Sequence, residues 1–484
     1  MTAPNQVIPA PPADLPGTLG ALRAAGHRYR TVKQELRDNL LARMRAGADR
    51  FPGIVGYDDT VLPEVERALL AGHDMVLLGE RGQGKTRLIR SLVGLLDEWT
   101  PVIAGSALNE HPLHPITPAS RALVAEAADD LPVGWLHRSM RYGEKLATPD
   151  TSVGDLIGDV DPIRLAQGRS LGDPETIHFG LVPRTNRGIF AVNELPDLAE
   201  RIQVALLNVL EERDIQVRGY QLRLPLDLFL VASANPEDYT NRGRIITPLK
   251  DRFGAEVRTH YPVDLDLELA LIRQEADLVA EVPEHVLEVL ARFARAVRES
   301  PSVDPRSGVS ARFAIAAAET VAAAALRRAG LLAAADTPEG VRPEAPVARV
   351  GDAVSVTSTL RGKVEFESGE EGREVEILGH LLRTATAETF RARLAGLDLS
   401  GFTGLVAEGT VIETGELVSS AELLRQVGTV PGLAKALDRL GMGDAPTPEE
   451  AAAGVEFVLE GLHLTRRLGK DVTDSGRTRY GGRG

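Results

Sequence analysis

Met75-Val-Leu-Leu78 runs into Gly79-Glu-Arg-Gly-Gln-Gly84-Lys85-Thr86, and Leu88, Ile89, Leu92, Leu95 and Leu96 follow at helical spacing. A short apolar run, a glycine-rich turn ending in Lys-Thr and an amphipathic helix together make a phosphate-binding loop in its required setting. The glycines let backbone amides wrap phosphate oxygens, and the helix start adds partial positive charge. Lys85 would reach the outer phosphates, and the Thr86 hydroxyl would ligate Mg²⁺. Gly79, Glu80, Arg81, Gly82, Gln83, Gly84, Lys85 and Thr86 are therefore the nucleotide-binding candidates.

Outward from this loop, short apolar runs alternate with helical patterns from Ile54 to about Tyr261. Met75–Leu78, Pro101–Ala104, Ile189–Val192, Leu226–Ala232 and Ala255–Val257 read as five buried strands. Strands without in–out alternation, separated by helices, predict an α/β fold with a parallel sheet covered on both faces. The connection from Gly105 to Arg187 is longer than a crossover needs and must hold inserted elements. Ile215–Val217 and Leu222–Leu224 alternate around Arg218-Gly219-Tyr220, a hairpin signal.

Strand ends in a parallel sheet face the ligand crevice. Gly188-Ile-Phe-Ala-Val-Asn193-Glu194 places an amide and a carboxylate there. Glu194 is the candidate to polarise the attacking water. Asn193 can accept a hydrogen bond from a Mg²⁺-bound water but brings no charge. Asn235, ending Leu228–Ala234, would orient the same water. Arg252, in Lys250-Asp-Arg-Phe253, could be a finger aimed at a neighbour's phosphates. Arg312, opening an Ala-rich helix, could reach the γ-phosphate from a second domain.

At the ends of the chain the signals change. Residues 1–16 carry Pro4, Pro9, Pro11, Pro12 and Pro16 and read as a tail without a basic n-region. A helix is expected over about Tyr29 to Ala46, with Leu36, Leu40, Leu41 and Met44 on one face. After Tyr261, Leu265 to Val297 and Ser310 to Leu332 are helical, and Thr337–Pro346 interrupts them before a further helical region to about Leu397. Residues 398–484 read as short, Gly-punctuated helices, and Arg466–Gly484 forms a basic tail. The predicted organisation is 1–49 (tail and helix), 50–263 (nucleotide-binding αβα domain), 264–397 (helical lid) and 398–484 (helical extension).

Composition narrows the function. The 484 residues hold 55 Lys+Arg against 69 Asp+Glu, a net charge of −14, which argues against a surface that coats nucleic acid. Without Cys there is no thiol nucleophile, thiolate metal site or disulfide, which suits a reducing cytosol. No stretch approaches the ~18 apolar residues of a membrane span. A soluble, cytoplasmic location is expected.

As a set, these motifs resemble the AAA+ ATPases, and within them the ATPase (I) subunit of magnesium chelatase and its MoxR-type relatives. Phe51-Pro-Gly-Ile-Val-Gly56 matches the segment that packs on adenine in that family, which puts Ile54 and Val55 at the base. Gly79–Thr86 matches Walker A. Asp155-Leu-Ile-Gly-Asp159 and Phe179-Gly-Leu-Val182 match the insert into the second helix. Asn186–Glu194 matches Walker B, with Asn193 where most relatives carry Asp. Asn235 matches sensor 1, Asp251–Gly254 the finger and Arg312 sensor 2. The likeness covers about residues 50 to 330.

The resemblance implies a P-loop core with a five-stranded parallel sheet, a helical lid, and ATP with Mg²⁺ at the interfaces of a ring of six. It also implies a partner with a von Willebrand factor A-type domain. A motor or chaperone that remodels or metal-loads a partner is the leading expectation, and a chelatase subunit of tetrapyrrole synthesis is the alternative. A transcription activator of the enhancer-binding kind is disfavoured. Its Gly-Ala-Phe-Thr-Gly-Ala loop belongs in the second-helix region, whereas Gly401-Phe-Thr-Gly404 falls far downstream.

Overall fold

The computed structural model describes residues 8–161, 176–211, 214–217, 220–236, 244–304, 308–334, 344–407, 409–443, 445–473 and 477–481. The chain divides into two compact units, Met1–His260 and Tyr261–Gly484.

In the first unit the strands are β1 (Met75–Leu78), β2 (Trp99–Ile103), β3 (Val133–His137), β4 (Tyr142–Leu146), β5 (Gly158–Val160), β6 (Ile177–Phe179) and β7 (Gly188–Asn193). They are followed by β8 (Asp214–Val217), β9 (Tyr220–Arg223), β10 (Leu228–Ala234) and β11 (Ala255–Arg258). The helices used below are α1 (Val32–Ala46), α2 (Val61–Ala71), α3 (Lys85–Ser91), α4 (Glu200–Glu211) and α5 (Thr247–Arg252). The central sheet has five strands in the order β11-β1-β10-β7-β4, and every neighbouring pair is parallel.

Burial explains the apolar runs. Met75 and Leu77 of β1, Ile189 and Ala191 of β7 and Phe229 and Val231 of β10 join a cluster with Val65 of α2 and Leu88 and Ile89 of α3. The alternate residues Val76, Leu78, Phe190, Val192, Leu230 and Ala232 join a second cluster with Ile202 and Leu206 of α4. A strand with helices on both faces has no side left for polar residues.

The expected membership of the sheet needs one correction. Residues 101–104 do not enter it: β2 pairs antiparallel with β3, Pro101 opposite Trp135. Pro101 has no N–H to donate, and proline is confined to edge positions in a sheet. The fifth central strand is β4, Tyr-Gly-Glu-Lys-Leu, which carries no apolar run because it forms the sheet's edge. The expected hairpin is present as β8–β9, and its turn residues Arg218 and Gly219 lie outside the described residues. In the long connection, β5 and β6 pair antiparallel.

Helix α1 begins two to three residues later than its apolar pattern suggests, at a capping box formed by Thr31 and Gln34. It is fastened to the sheet by polar groups as well as by Leu36 and Leu40. Arg141, fully buried just before β4, forks onto both oxygens of Glu35 at 2.6 and 2.7 Å. The Val32 amide donates to Asp227 Oδ1 at 3.0 Å, and Lys33 reaches Asp74 at 2.7 Å.

The second unit is mostly helical: α6 (Leu265–Glu275), α7 (Glu284–Arg298), α8 (Ala311–Ala334), α9 (Glu374–Leu394) and α10 (Pro448–Leu464) are its longer helices. The expected continuous helix over 265–297 divides into α6 and α7, with Pro283 at the N-cap of α7. Helix α10 is longer than the short helices expected there, and Ala451–Leu462 is buried throughout, so it forms the centre of this unit's core. A small antiparallel sheet of β12 (Ile412–Thr414), β13 (Gly469–Val472) and β14 (Thr478–Gly481) takes up part of the basic tail. There Arg477 and Arg479 pair with Glu413 at 2.8 and 2.7 Å. Most of Thr337–Pro346 and residues 1–7 lie outside the described residues. Among the described residues, no helix is long and apolar enough to cross a membrane.

Candidate functional site

The loop Gly79–Thr86 leaves the carboxyl end of β1 between β10 and β11. The Gly79 amide donates to Ala234 O at 3.2 Å, and the Thr259 amide donates to Leu78 O at 2.8 Å. A Cβ on Gly79 would overlap Thr259 Oγ1 and Gln83 Oε1. Gly82 and Gly84 both have φ of 76°, the left-handed region that favours glycine. Two of the glycines are thus required by backbone conformation and Gly79 by close packing.

Inside the loop, Gln83 Oε1 accepts from the Glu80 amide at 3.1 Å and from Thr259 Oγ1 at 2.7 Å. Lys85 is 7% exposed, and its ammonium donates to the carbonyls of Gly79 and Glu80. Thr86 is half-buried, one residue on. A cleft of about 390 Å³ opens beside the loop, lined by Leu78, Gly79, Gln83, Pro236, Arg258 and Thr259 among others. That volume lies in the range of small-ligand sites.

The segment before α2 reaches the loop through a residue that sequence reasoning missed. Ile54 and Val55 are half-buried, and Tyr57, buried beyond them, donates to the carbonyls of Gln83 and His260. Burial pushes the Tyr57 hydroxyl up to about 12, so it stays a donor. No local pattern marks Tyr57, because its partners lie 26 and 203 residues away.

Strands β7 and β10 bring Asn193, Glu194 and Asn235 to the same end of the sheet as the loop. Asn193 is buried, and its Nδ2 donates to Glu144 Oε1 at 2.6 Å, while its Oδ1 accepts from Ser233 Oγ at 3.3 Å. Glu194 is half-buried with φ 56° and ψ 49°, a conformation costly for a non-glycine residue and concentrated at functional sites. Its amide donates to Ser233 Oγ at 3.3 Å. Asn235 is 4% exposed, and its Oδ1 is buried with no hydrogen-bond partner. An orphaned acceptor at a strand end, beside a loop of this kind, fits an ordered water or a ligand donor.

Glu144 is the second residue missed. On β4 it accepts from Arg90 Nε and Nη2 at 2.8 and 2.9 Å and from Tyr142 at 3.0 Å, besides Asn193. Burial raises its carboxyl, but the bonds from Arg90, Tyr142 and Asn193 outweigh this and hold it below the usual range. The same burial and the nearby carboxylate push the Tyr142 hydroxyl upward.

Arg252 is not gathered with these. It is exposed and ends α5 two residues before Gly254, which packs against His73 at the amino end of the sheet. Strand β1, four residues long, separates that end from Gly79, about 13 Å at ~3.3 Å per residue. Arg312 is exposed near the start of α8, in the second unit, where its amide donates to Ser310 Oγ at 3.1 Å.

No family model matches the chain. The chloroplastic magnesium-chelatase subunit ChlI-1 of Arabidopsis thaliana is 29% identical over 233 residues, covering 47% of this chain and 51% of its own length. This chain resembles the AAA+ ATPase subunits of magnesium chelatase. The magnesium-chelatase 38 kDa subunit of Rhodobacter capsulatus is likewise 29% identical over 233 residues, 46% of this chain and 59% of the relative. The chain thus spans about half the length of the curated relatives it matches. Among solved structures, a complex of BchI and BchD of magnesium chelatase aligns at 24% identity and a TM-score of 0.35, over 68% of this chain and 98% of that one. The RuvB branch migration motor of Thermotoga maritima aligns at 12% identity and a TM-score of 0.35, over 82% and 92% of the two chains.

Proposed function

We propose that this chain is a Mg²⁺-dependent ATPase that works as a ring, of six subunits, on a partner protein. One observation carries the reading: the Gly79–Thr86 loop, with Lys85 drawn in among its carbonyls, sits at adjacent strand ends with Asn193, Glu194 and Asn235. In this reading the loop amides and Lys85 bind the phosphates. Ile54 and Val55 contact the base. Thr86 Oγ1 and Asn193 Oδ1 hold Mg²⁺ and its waters, and the ion would offset charge on the phosphate oxygens. Glu194 polarises the attacking water and Asn235 orients it.

Arg252 acts on a neighbour's site. Its place at the far end of the sheet from its own loop supports that role, since an arginine finger serves the subunit it faces. Arg312 contributes from the helical unit. The partner carries a von Willebrand factor A-type domain and is remodelled or loaded with metal, in a cytoplasmic complex. The names of the relatives favour a second reading, a chelatase subunit of tetrapyrrole synthesis. Affinity capture of the partner from the native host separates the two.

Lys85→Ala tests the core of the proposal. Lys85 serves the loop rather than an apolar core, so the variant should stay folded and lose ATP binding or turnover. Equal turnover in variant and wild type would refute the assignment.

A further inference from the structure

Across the strand ends runs a chain of hydrogen bonds in which every donor points the same way. The Glu194 amide donates to Ser233 Oγ, Ser233 Oγ donates to Asn193 Oδ1, and Asn193 Nδ2 donates to Glu144 Oε1. Arg90 donates to both Glu144 oxygens and Tyr142 to one of them. An ionised carboxylate can only accept, so Glu144 fixes the direction of the whole chain. A reversed Asn193 amide would turn its oxygen toward the Glu144 carboxylate and lose that bond, because neither oxygen can donate.

Strand register makes this arrangement possible. Glu144 lies opposite Ala191, two residues before Asn193, so both side chains stand on the sheet face covered by α3. Arg90 is four residues after Thr86 on α3, the spacing that places two side chains on one helix face. Glu144 therefore connects the helix that follows the phosphate loop with the strand end that carries Asn193 and Glu194.

We propose that Glu144 is a positioning residue for the nucleotide's divalent cation. Held by Arg90 and Tyr142, it keeps Asn193 Oδ1 turned toward the crevice. The inference rests on the ATPase reading above. It means that the carboxylate missing from the end of β7 is replaced by a pair, an amide that faces the ligand and an acid that holds it.

The pair makes an unusual prediction for substitutions. Asn193→Asp alone sets two carboxylates in hydrogen-bond contact, which disfavours both being charged. Combined with Glu144→Gln, the same substitution becomes favourable, because the amide introduced on β4 donates to the new carboxylate.

The test is the affinity of the full chain for a fluorescent ATP analogue, measured with magnesium chloride and with EDTA. Glu144→Gln should lose about tenfold of the Mg²⁺-dependent tightening, as outer-shell changes at metal sites commonly do, while affinity in EDTA stays within about twofold. Asn193→Asp alone should also lose it, and the double variant should regain it. Wild type that tightens with Mg²⁺ beside an unchanged Glu144→Gln overturns this inference alone. So does an Asn193→Asp variant that tightens as well as the double variant. Wild type that binds no analogue overturns the ATPase reading and this inference with it.

Discussion

Replacing Glu35 with Leu removes one half of a buried ion pair and leaves Arg141 without its carboxylate. Their side chains are 2% and 0% exposed, joined by two hydrogen bonds of 2.6 and 2.7 Å. Arg141 retains only its bond to the Arg187 carbonyl at 2.6 Å. Stranding one partner of a buried pair costs about 3–5 kcal/mol. For a domain of this size each kcal/mol lowers the midpoint by roughly 2–4 °C, so a fall of about 6–20 °C is expected. The chain's two tryptophans, Trp99 and Trp135, both lie in the first unit, on β2 and β3. Thermal unfolding followed by tryptophan fluorescence therefore reports the unit that contains the pair. Arg141→Met alone should cost a similar amount. The double variant should be more stable than the sum of the two losses predicts, by about 2–3 kcal/mol, the upper end of measured couplings between contacting residues. Two single losses that simply add in the double variant would refute the account, since the pair would then contribute packing rather than charge compensation.

Two further outcomes are expected. Arg252→Ala and Glu194→Gln should each bind nucleotide and fail to turn it over, yet a mixture of the two should recover activity, because some interfaces regain both native residues; no recovery after confirmed subunit exchange would remove Arg252 from the reaction. His285, fully buried against Phe457 in the second unit, has its imidazole lowered to about 3 by burial and then by the Arg393 charge. Its neutral form belongs to the folded state, so the stability it protects is present above about pH 6.5 and is lost as pH falls toward 3, about 2 kcal/mol of it by pH 5. Calorimetry at pH 7 and pH 5 should show that loss in wild type and not in His285→Leu; equal losses would place the acid sensitivity elsewhere.

Three of the five central strands, β1, β7 and β10, are legible in the sequence because helices cover both their faces, which leaves continuous apolar runs such as Met75–Leu78 and Gly188–Val192. Strand β11, at one edge, is legible only through Ala255 and Val257 around the exposed Glu256. Strand β4 is not legible, since an edge strand tolerates Glu144 and Lys145, and the apolar run at Pro101 took its place in the expected sheet. The loop can be read because its glycines, Lys85 and Thr86 are adjacent in the chain. Glu144 and Ser233 could not be read, because their relation to Asn193 depends on register between strands 49 and 40 residues apart. On sequence alone Asn193 looks like a charge removed. Beside Glu144 it looks like an amide whose orientation is set by the next strand.

The ties that hold α1 to the sheet also set an order of events during synthesis. Val32 leaves the ribosome 195 residues before Asp227, which receives its amide, and Glu35 106 residues before Arg141. At translation rates of about 5–20 residues per second, the helix waits roughly 10–40 s for its last anchor. During that interval Leu36 and Leu40 have no sheet to cover them. Strand β1 waits likewise, since its partners β10 and β11 are more than 150 residues downstream. A nascent chain of this protein therefore carries incompletely covered apolar surface for most of the synthesis of its first unit, and the arrival of β10 and β11 completes the cover.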